Sequence, residues 1–290
     1  MKKSIGFLLS ISIIAISFAA IFVKWSDAPA TIISMYRMYF ACILLLPMVW
    51  MKRSEIKKIT NKEWFSLFMA GFFLALHFAL WFGSLKLTSV ASSTIILSLQ
   101  PLIALLGGYL FFKEKTNVQT LGVIGLSIIG VSIVAWGDFT SRHEGAILGD
   151  LLSLLSVVAV VAYLLIGQRN VRQISHWIYS FTVFLFAGIH LTIYNLITDV
   201  PIFGYESREW GIFLLLAIFP TLAHVIFNYL LNFVNSATIS ISVLGEPVGA
   251  TILAAWLLGE QVTALRIIGG LIVLTGVFIY LKMQNNQNVA

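Results

Sequence analysis

Ten long apolar segments follow one another along this chain, and they constrain its fold more than any other feature. A helix needs about 20 mostly apolar residues to cross the hydrocarbon core of a bilayer, which is roughly 30 Å thick. Only 10% of the residues are charged, against roughly 25% in an ordinary soluble domain. We therefore predict an all-α integral membrane protein with ten transmembrane helices. The predicted spans are residues 4–23, 28–50, 63–84, 89–112, 118–136, 148–167, 176–198, 210–232, 236–258 and 263–282.

The sequence also contains one module twice. The stretch from Ser89 to Gly130 is echoed from Asn235 to Gly276 at a constant offset of about 146 residues, which marks an internal duplication. We interpret residues 1–140 as the first repeat, 145–284 as the second and 285–290 as a cytoplasmic tail. Because each repeat holds five spans, an odd number, the second must enter the membrane inverted. The equivalent pairs include Pro101 with Pro247 and Glu114 with Glu260.

Lysine and arginine residues outside the spans predict the orientation of the chain, because basic residues are retained on the cytoplasmic side. With the N-terminus inside, twelve basic residues are cytoplasmic and five are outside. We therefore predict both termini on the cytoplasmic side of a bacterial plasma membrane, and we interpret the net charge of +6 as a topology signal, not as a nucleic-acid site. The inside set is Lys2, Lys3, Lys52, Arg53, Lys57, Lys58, Lys62, Lys113, Lys115, Arg169, Arg172 and Lys282, and the outside set is Lys24, Lys86, Arg142, Arg208 and Arg266.

Two charged residues lie near the middle of predicted spans, where a charge costs about 2.5 to 3.5 kcal/mol on insertion scales. Arg37 is about midway along the second span, and Glu246 is about midway along the ninth. Either one could contact a charged group of a substrate or carry a coupling proton. The alternatives are a buried structural ion pair, or a carboxylate that caps backbone donors loosened by Pro247.

Proline stands at equivalent positions of the two copies. Pro101 and Pro247 each remove one helix hydrogen bond and free a carbonyl four residues earlier. Within a bilayer such groups must be satisfied by protein or by cavity water. We therefore predict helix breaks at both prolines and a central cavity beside them, with Gln100 as a lining residue. For a single proline, a harmless bend is the alternative.

Histidine, aromatic and amide side chains supply further candidate cavity residues. His77 in the third span and His224 in the eighth are one residue from equivalence, and a histidine can bind a substrate or relay a proton near neutral pH. Trp81 lies one helical turn from His77 on the same face. Tyr163 and Asn228 add hydrogen-bonding groups. The alternative for each histidine is a hydrogen-bonded packing residue.

Signatures of catalysis are scarce. The sequence has no HExxH or GxSxG motif, no phosphate-binding glycine loop and no Cys/His cluster with metal spacing. Cys42 is the lone cysteine, which excludes a disulfide within the chain. We predict no cofactor and no metal. Glycines in the fourth, fifth and tenth spans favour close helix packing, with a homodimer contact as the less favoured use.

Two strings at equivalent positions resemble the paired signature of EamA-type carriers in the drug/metabolite transporter superfamily. The first is Ser98-Leu-Gln-Pro-Leu-Ile-Ala-Leu-Leu followed by Phe112-Lys-Glu, and the second is Leu244-Gly-Glu-Pro-Val-Gly-Ala followed by Leu257-Leu-Gly-Glu. The resemblance covers essentially the whole chain. It implies two inverted five-helix repeats around a central cavity that opens alternately to each side, and it draws attention to Arg37, His77 and Trp81 as cavity residues.

The leading hypothesis is therefore a secondary transporter that exports amino acids or similar small metabolites across the plasma membrane by alternating access. A solute or proton gradient would drive it, and the protein would not be an enzyme. One alternative is a membrane-embedded enzyme that uses His77 and Glu246 as acid and base. Others are a noncatalytic membrane assembly subunit and a channel.

Overall fold

The chain folds entirely into helices in the part that the computed structural model describes, which is residues 2–113, 117–136, 145–170, 174–259 and 264–287. Short loops connect the helices in this part. The helices are α1 (Lys2–Trp25), α2 (Ala30–Met51), α3 (Arg53–Ile56), α4 (Asn61–Leu87), α5 (Val90–Leu97), α6 (Gln100–Phe112), α7 (Val118–Trp136), α8 (Ala146–Asn170), α9 (His176–Ile197), α10 (Ser207–Leu230), α11 (Ser236–Ser242), α12 (Glu246–Leu257) and α13 (Ala264–Gln287).

Seven stretches of helix in the described ranges are long and apolar enough to cross a membrane. They are α1, α2, α4, α8, α9, α10 and the combined stretch Ser236–Leu257. The three remaining predicted spans correspond to shorter apolar helices, at Gln100–Phe112, Val118–Gly130 and Ile267–Gly276. The prediction of a multi-pass helical membrane protein is confirmed. The number of ten spans stays a prediction.

The fourth predicted span of each copy is interrupted near its middle. Ser98 and Leu99 separate α5 from α6, and α6 begins with Gln100-Pro101. In the second copy a 3-10 turn, Val243–Gly245, separates α11 from α12, which begins with Glu246-Pro247. Proline is tolerated in the first turn of a helix because the N–H that it lacks would have no helical partner there. Each helix therefore resumes at its proline.

The pairwise packing of the helices has a regular pattern. Under the sequence repeat, α1 corresponds to α8, α2 to α9, α4 to α10, the α5–α6 pair to α11–α12, and α7 to α13. The first helix of one copy packs on the third of the other, α1 on α10 and α8 on α4. The third helix of one copy also packs on the second helix of the other, α4 on α9 and α10 on α2. The second helices of the two copies, α2 and α9, pack on each other, and so do the fifth, α7 and α13. Exchanging the copies therefore leaves these pairings unchanged.

Small residues allow some of these helices to approach closely. A Cβ at Gly71 of α4 would lie 2.5 Å from Phe186 Cβ on α9 and 3.0 Å from the Val183 carbonyl oxygen. In contrast, a Cβ at Gly122 or Gly125 of α7 would meet no atom within 4 Å. Close packing thus explains only some of the glycines. The signature residues Glu114 and Glu260 lie outside the described residues.

Candidate functional site

Five of the polar residues predicted to be functional line one small cavity in the core. They come from α4, α6, α10 and α12, so both copies contribute. The cavity volume is about 20 Å³, which is enough for about one water molecule. The lining side chains are His77, Trp81, Gln100, His224 and Glu246, with apolar Ile16, Leu97, Val160, Leu164, Phe227, Ile239 and Val243 completing the wall.

Arg37 is buried next to this cavity on α2, with 1% of its surface exposed. Its guanidinium carbon lies 3.8 Å from the centroid of the Phe78 ring and 5.8 Å from that of Phe82. Its Nε and Nη1 have no hydrogen-bond partner among the residues described. The ring faces offset part of the cost of burying the cation. Two strong donors are nevertheless left unsatisfied.

Glu246 is the first residue of α12 and is 3% exposed. It lies within electrostatic range of Arg37, yet the two side chains form no ion pair within 4.0 Å, and Glu246 Oε1 has no hydrogen-bond partner in the described ranges. The structure thus shows neither a direct ion pair with Arg37 nor a capping bond to this oxygen. Its position in the first turn of α12 favours a negative charge because the helix dipole is positive there.

His77 and Trp81 form a stacked pair on α4. Their rings are 5.8 Å apart at the centroids and inclined by 17°. Nδ1 of His77 is 3.0 Å from the Ser156 carbonyl oxygen, and because a carbonyl only accepts, Nδ1 carries the hydrogen. In a neutral imidazole Nε2 is then an acceptor. Trp81 Nε1 has no hydrogen-bond partner within the described part, so it adds a further unsatisfied donor.

Gln100 and His224 complete the polar wall from the two copies. Gln100 Nε2 donates to Ser240 Oγ at 3.0 Å, so the two interrupted helices are bonded to each other at the cavity. Both ring nitrogens of His224 are buried and have no partner among the described side chains and backbone. The His224 ring instead meets Phe78 edge to face, with centroids 5.3 Å apart.

Two other candidates, Tyr163 and Asn228, do not line the cavity. Tyr163 donates its hydroxyl to Asn228 Oδ1 at 2.6 Å, and Asn228 Nδ2 donates to Ser180 Oγ at 2.9 Å. This buried chain joins α8, α10 and α9. Because these groups satisfy one another, they fit a structural network better than a binding surface.

A much larger cavity lies elsewhere, between α4, α6 and α8, with a volume of about 510 Å³. Apart from Ser66 and Arg169 its lining is apolar, including Phe73, Ile103 and Leu165. Size alone would favour it as a ligand site. A site for a polar solute needs convergent polar groups, and these surround the small cavity.

Comparison with known proteins identifies the family of this chain. The model of the EamA-like transporter family matches residues 3–136 and again residues 147–282. The chain belongs to the EamA-like transporter family. Its two matched stretches contain both interrupted helices and every lining residue of the small cavity.

Proteins named as transporters resemble the chain over most of its length. An uncharacterized transporter of Archaeoglobus fulgidus is 24% identical over 257 residues, which is 87% of this chain and 88% of that protein. The uncharacterized transporter YdfC of Bacillus subtilis is 25% identical over 261 residues, 86% of this chain and 80% of the relative. These names support a transporter and specify no substrate.

A solved crystal structure has a similar fold, with a TM-score of 0.78 and 96% of each chain covered. Its sequence identity is 14%, so the similarity concerns the fold alone. The family match and the long apolar helices, by contrast, support a multi-pass membrane protein.

Sequence reasoning about this EamA-like transporter missed three contributors to the site. The Phe78 ring packs against the Arg37 guanidinium, but nothing in the sequence distinguishes Phe78 from the other phenylalanines. Ser240 accepts a hydrogen bond from Gln100 through its side chain, whereas Ser156 accepts one from His77 through its main-chain carbonyl, which any residue there would supply. A small hydroxyl residue near an interrupted helix was the only signal available for Ser240.

Proposed function

We propose that this EamA-like transporter is a secondary carrier that exports amino acids or similar small metabolites by alternating access. In this proposal, ten transmembrane helices form two inverted five-helix repeats around the central cavity. Both termini are cytoplasmic, in a bacterial plasma membrane. The partners are a small metabolite and the lipid bilayer, with a proton as the coupling ion.

The exchange pattern of the helix contacts supports the inverted repeats. Pairings such as α1 with α10 and α4 with α8 are interchanged when the copies are exchanged. Gln100 and Glu246 are equivalent by sequence, begin equivalent helices and line the same cavity. A site built at the junction of two inverted repeats is typical of secondary transporters.

The single observation that carries the proposal is a buried arginine and a buried glutamate that are not bonded to each other. Arg37 offers two unsatisfied N–H donors, and Glu246 offers an unsatisfied carboxylate oxygen. A buried charge is costly unless it is paired and hydrogen-bonded. An amino acid would supply both complements, since its carboxylate suits Arg37 and its ammonium group suits an ionised Glu246.

The small cavity volume supports alternating access over a permanently open pore. About 20 Å³ accommodates a water molecule and no amino acid. The helices that line the cavity must therefore separate on one side to admit a substrate. A substrate moves the equilibrium between the resulting states only by binding them with different affinity.

Glu246 is also the candidate for proton coupling. It is a buried carboxylate at the cavity, within electrostatic range of Arg37. A carboxylate that exchanges a proton for a substrate ammonium group would couple the two movements, because both compete for one negative charge. His77 and His224 line the same cavity and complete the set of titratable groups there.

The test is substrate specificity in sealed liposomes. Labelled amino acids are screened for counterflow, and the best substrate is then competed with its own amide, which retains the ammonium group and lacks the carboxylate. We expect the free amino acid to compete and the amide to fail. Arg37→Met should abolish counterflow, whereas Arg53→Met should not, because Arg53 is an exposed arginine stacked on Trp50. Equal competition by amino acid and amide would contradict the role of Arg37.

Export is tested separately in cells that accumulate the identified substrate. Expression of the protein should increase efflux into the medium in the parent and in Arg53→Met, and should have no effect in Arg37→Met. Uptake in place of efflux under the same gradient would contradict the proposed direction while leaving the carrier assignment intact.

A further inference from the structure

Two lysines bind each other's helix ends at one side of the bundle. Lys24 lies in the last turn of α1 and donates to the Thr88 carbonyl oxygen, just beyond α4, at 2.9 Å. Lys86 lies in the last turn of α4 and donates to the Ser26 carbonyl oxygen, just beyond α1. Each lysine thus bonds the backbone that follows the other lysine's helix. We call these two bonds the lysine clasp.

Two carboxylates hold the lysine clasp together. Lys24 and Lys86 repel each other, while Asp27 and Glu209 attract Lys86. Glu209, in the first turn of α10, is 4% exposed and accepts hydrogen bonds from the Ser26 hydroxyl and, at 3.0 Å, from the Asp27 N–H. It therefore fixes the segment whose carbonyl Lys86 binds. The outer ion pair of Arg208 with Asp27 is exposed on both sides and contributes little.

The lysine clasp connects the ends of α1 and α4, two helices that must separate for the central cavity to open at this end. α1 packs along α10, and α4 packs along α8, so each pair is expected to move as a unit. Ile16 and His224 line the cavity from the first pair, and His77 and Val160 line it from the second. Separation of the two pairs at this end requires both lysine–carbonyl bonds to break.

At the opposite end of the bundle, the described residues show no reciprocal pair of bonds like the lysine clasp. Arg169 lies in the last turn of α8, as Lys24 does in α1, and Asn232 corresponds to Lys86 under the repeat offset. Asn232 Nδ2 donates to the Tyr229 carbonyl oxygen within its own segment. The lysine clasp is thus a feature that distinguishes the two otherwise equivalent ends.

We propose that the lysine clasp holds this end of the cavity closed and makes the protein open preferentially at the other end, with Glu209 as its positioning residue. This role in opening and closing the cavity rests on the proposed function of the protein as a carrier. In the proposed topology the closed end is outside, so the resting carrier opens toward the cytoplasm, as an exporter requires. It also gives a role to Lys24 and Lys86, two of the five basic residues predicted outside.

The test measures opening without transport. In a Cys42→Ser background, Ala20→Cys places one thiol on α1, one turn from Ile16 of the cavity and one turn from Lys24, at a position that is fully buried. The purified protein in detergent is treated with a charged methanethiosulfonate reagent, and the rate of thiol modification is recorded. Detergent exposes both ends, so the assay does not depend on the orientation in the membrane.

Lys86→Met keeps the side-chain length and removes the donor and the charge. Loss of a hydrogen bond to a charged group should raise the modification rate about tenfold, and Glu209→Gln should raise it in the same direction. The matched control is Lys62→Met, the same substitution at an exposed position in the first turn of α4. It should leave the rate unchanged, and thiol titration after denaturation shows that every variant carries the same reactive cysteine.

An unchanged rate in Lys86→Met would overturn the lysine clasp, and so would an equal increase in Lys62→Met. If Glu209→Gln does not fold, Ser26→Ala removes one of the bonds to Glu209 and provides the second measurement. The outcome is independent of the proposed function. If Lys86→Met raises the modification rate but the protein transports no substrate, the proposed carrier function alone is refuted. If the protein transports a substrate but Lys86→Met leaves the rate unchanged, this inference alone is refuted.

Discussion

Removal of the Phe78 ring is the sharpest perturbation of the candidate site. The Arg37 guanidinium lies 3.8 Å from that ring and is fully buried. A cation–π contact in such a desolvated position contributes about 2 kcal/mol, and each 1.4 kcal/mol changes a binding constant about tenfold. If the ring holds Arg37 in position for the substrate carboxylate, Phe78→Leu should weaken substrate binding by up to roughly thirtyfold, the value reached when all of this energy serves to position Arg37.

Phe82→Leu provides the matched control for this prediction. Phe82 is also fully buried on α4, one turn further along, but its centroid is 5.8 Å from the guanidinium carbon. Both substitutions remove the same ring atoms from the core, so their packing losses should be similar. The half-saturation concentration for counterflow and the thermal unfolding midpoint are measured for both variants. Equal losses of affinity in the two variants would refute the claim that Arg37 is held for the substrate by Phe78.

Three further predictions concern neighbouring groups. Glu246→Gln should abolish the dependence of counterflow on a pH gradient if the carboxylate carries the coupling proton, and an unchanged gradient response would remove Glu246 from that role. Trp81→Phe keeps an aromatic ring beside His77 and removes the unsatisfied N–H, so it should lower substrate affinity without lowering the unfolding midpoint. Tyr163→Phe leaves Asn228 Oδ1 without its 2.6 Å bond. In a denaturation experiment this should lower the free energy of unfolding by about 1 to 3 kcal/mol, and substrate affinity should not change. A loss of affinity with no loss of stability would instead indicate that Tyr163 contacts the substrate.

Much of the architecture could be predicted because the bilayer restricts the available folds. Long apolar segments indicate helices, since all backbone polar groups must be satisfied within lipid. The interruptions before Pro101 and Pro247 have a local cause in the missing proline N–H. The residue-by-residue echo of the copies also identified which helices correspond, and the family match covers both.

The candidate functional site was less accessible to sequence reasoning. Arg37 and Glu246 could be singled out because a charge in an apolar span is costly. Their failure to pair directly is a matter of distance, which no sequence pattern reports. Tyr163 and Asn228 show the same limit, because no sequence pattern reports that they bond each other and lie outside the lining of the small cavity.

Charged residues at the helix ends were the least predictable of all. Lys24 and Lys86 entered the sequence argument only as exceptions to the positive-inside rule. Their reciprocal bonds depend on how two helix ends meet across 60 residues of chain, a contact that arises from tertiary packing. Glu209 was not identified because a carboxylate in the first turn of a helix is common on electrostatic grounds alone.

Counterflow by the purified protein in sealed liposomes tests the central claim most directly. Liposomes loaded with an unlabelled amino-acid pool are diluted into a trace of the labelled pool, with the parent protein, Arg37→Met and Arg53→Met measured side by side. A carrier built around Arg37 predicts saturable accumulation of label in the parent and in Arg53→Met, and none in Arg37→Met. Folded parent protein that accumulates no label from the pool, or equal accumulation in all three proteins, would contradict the account.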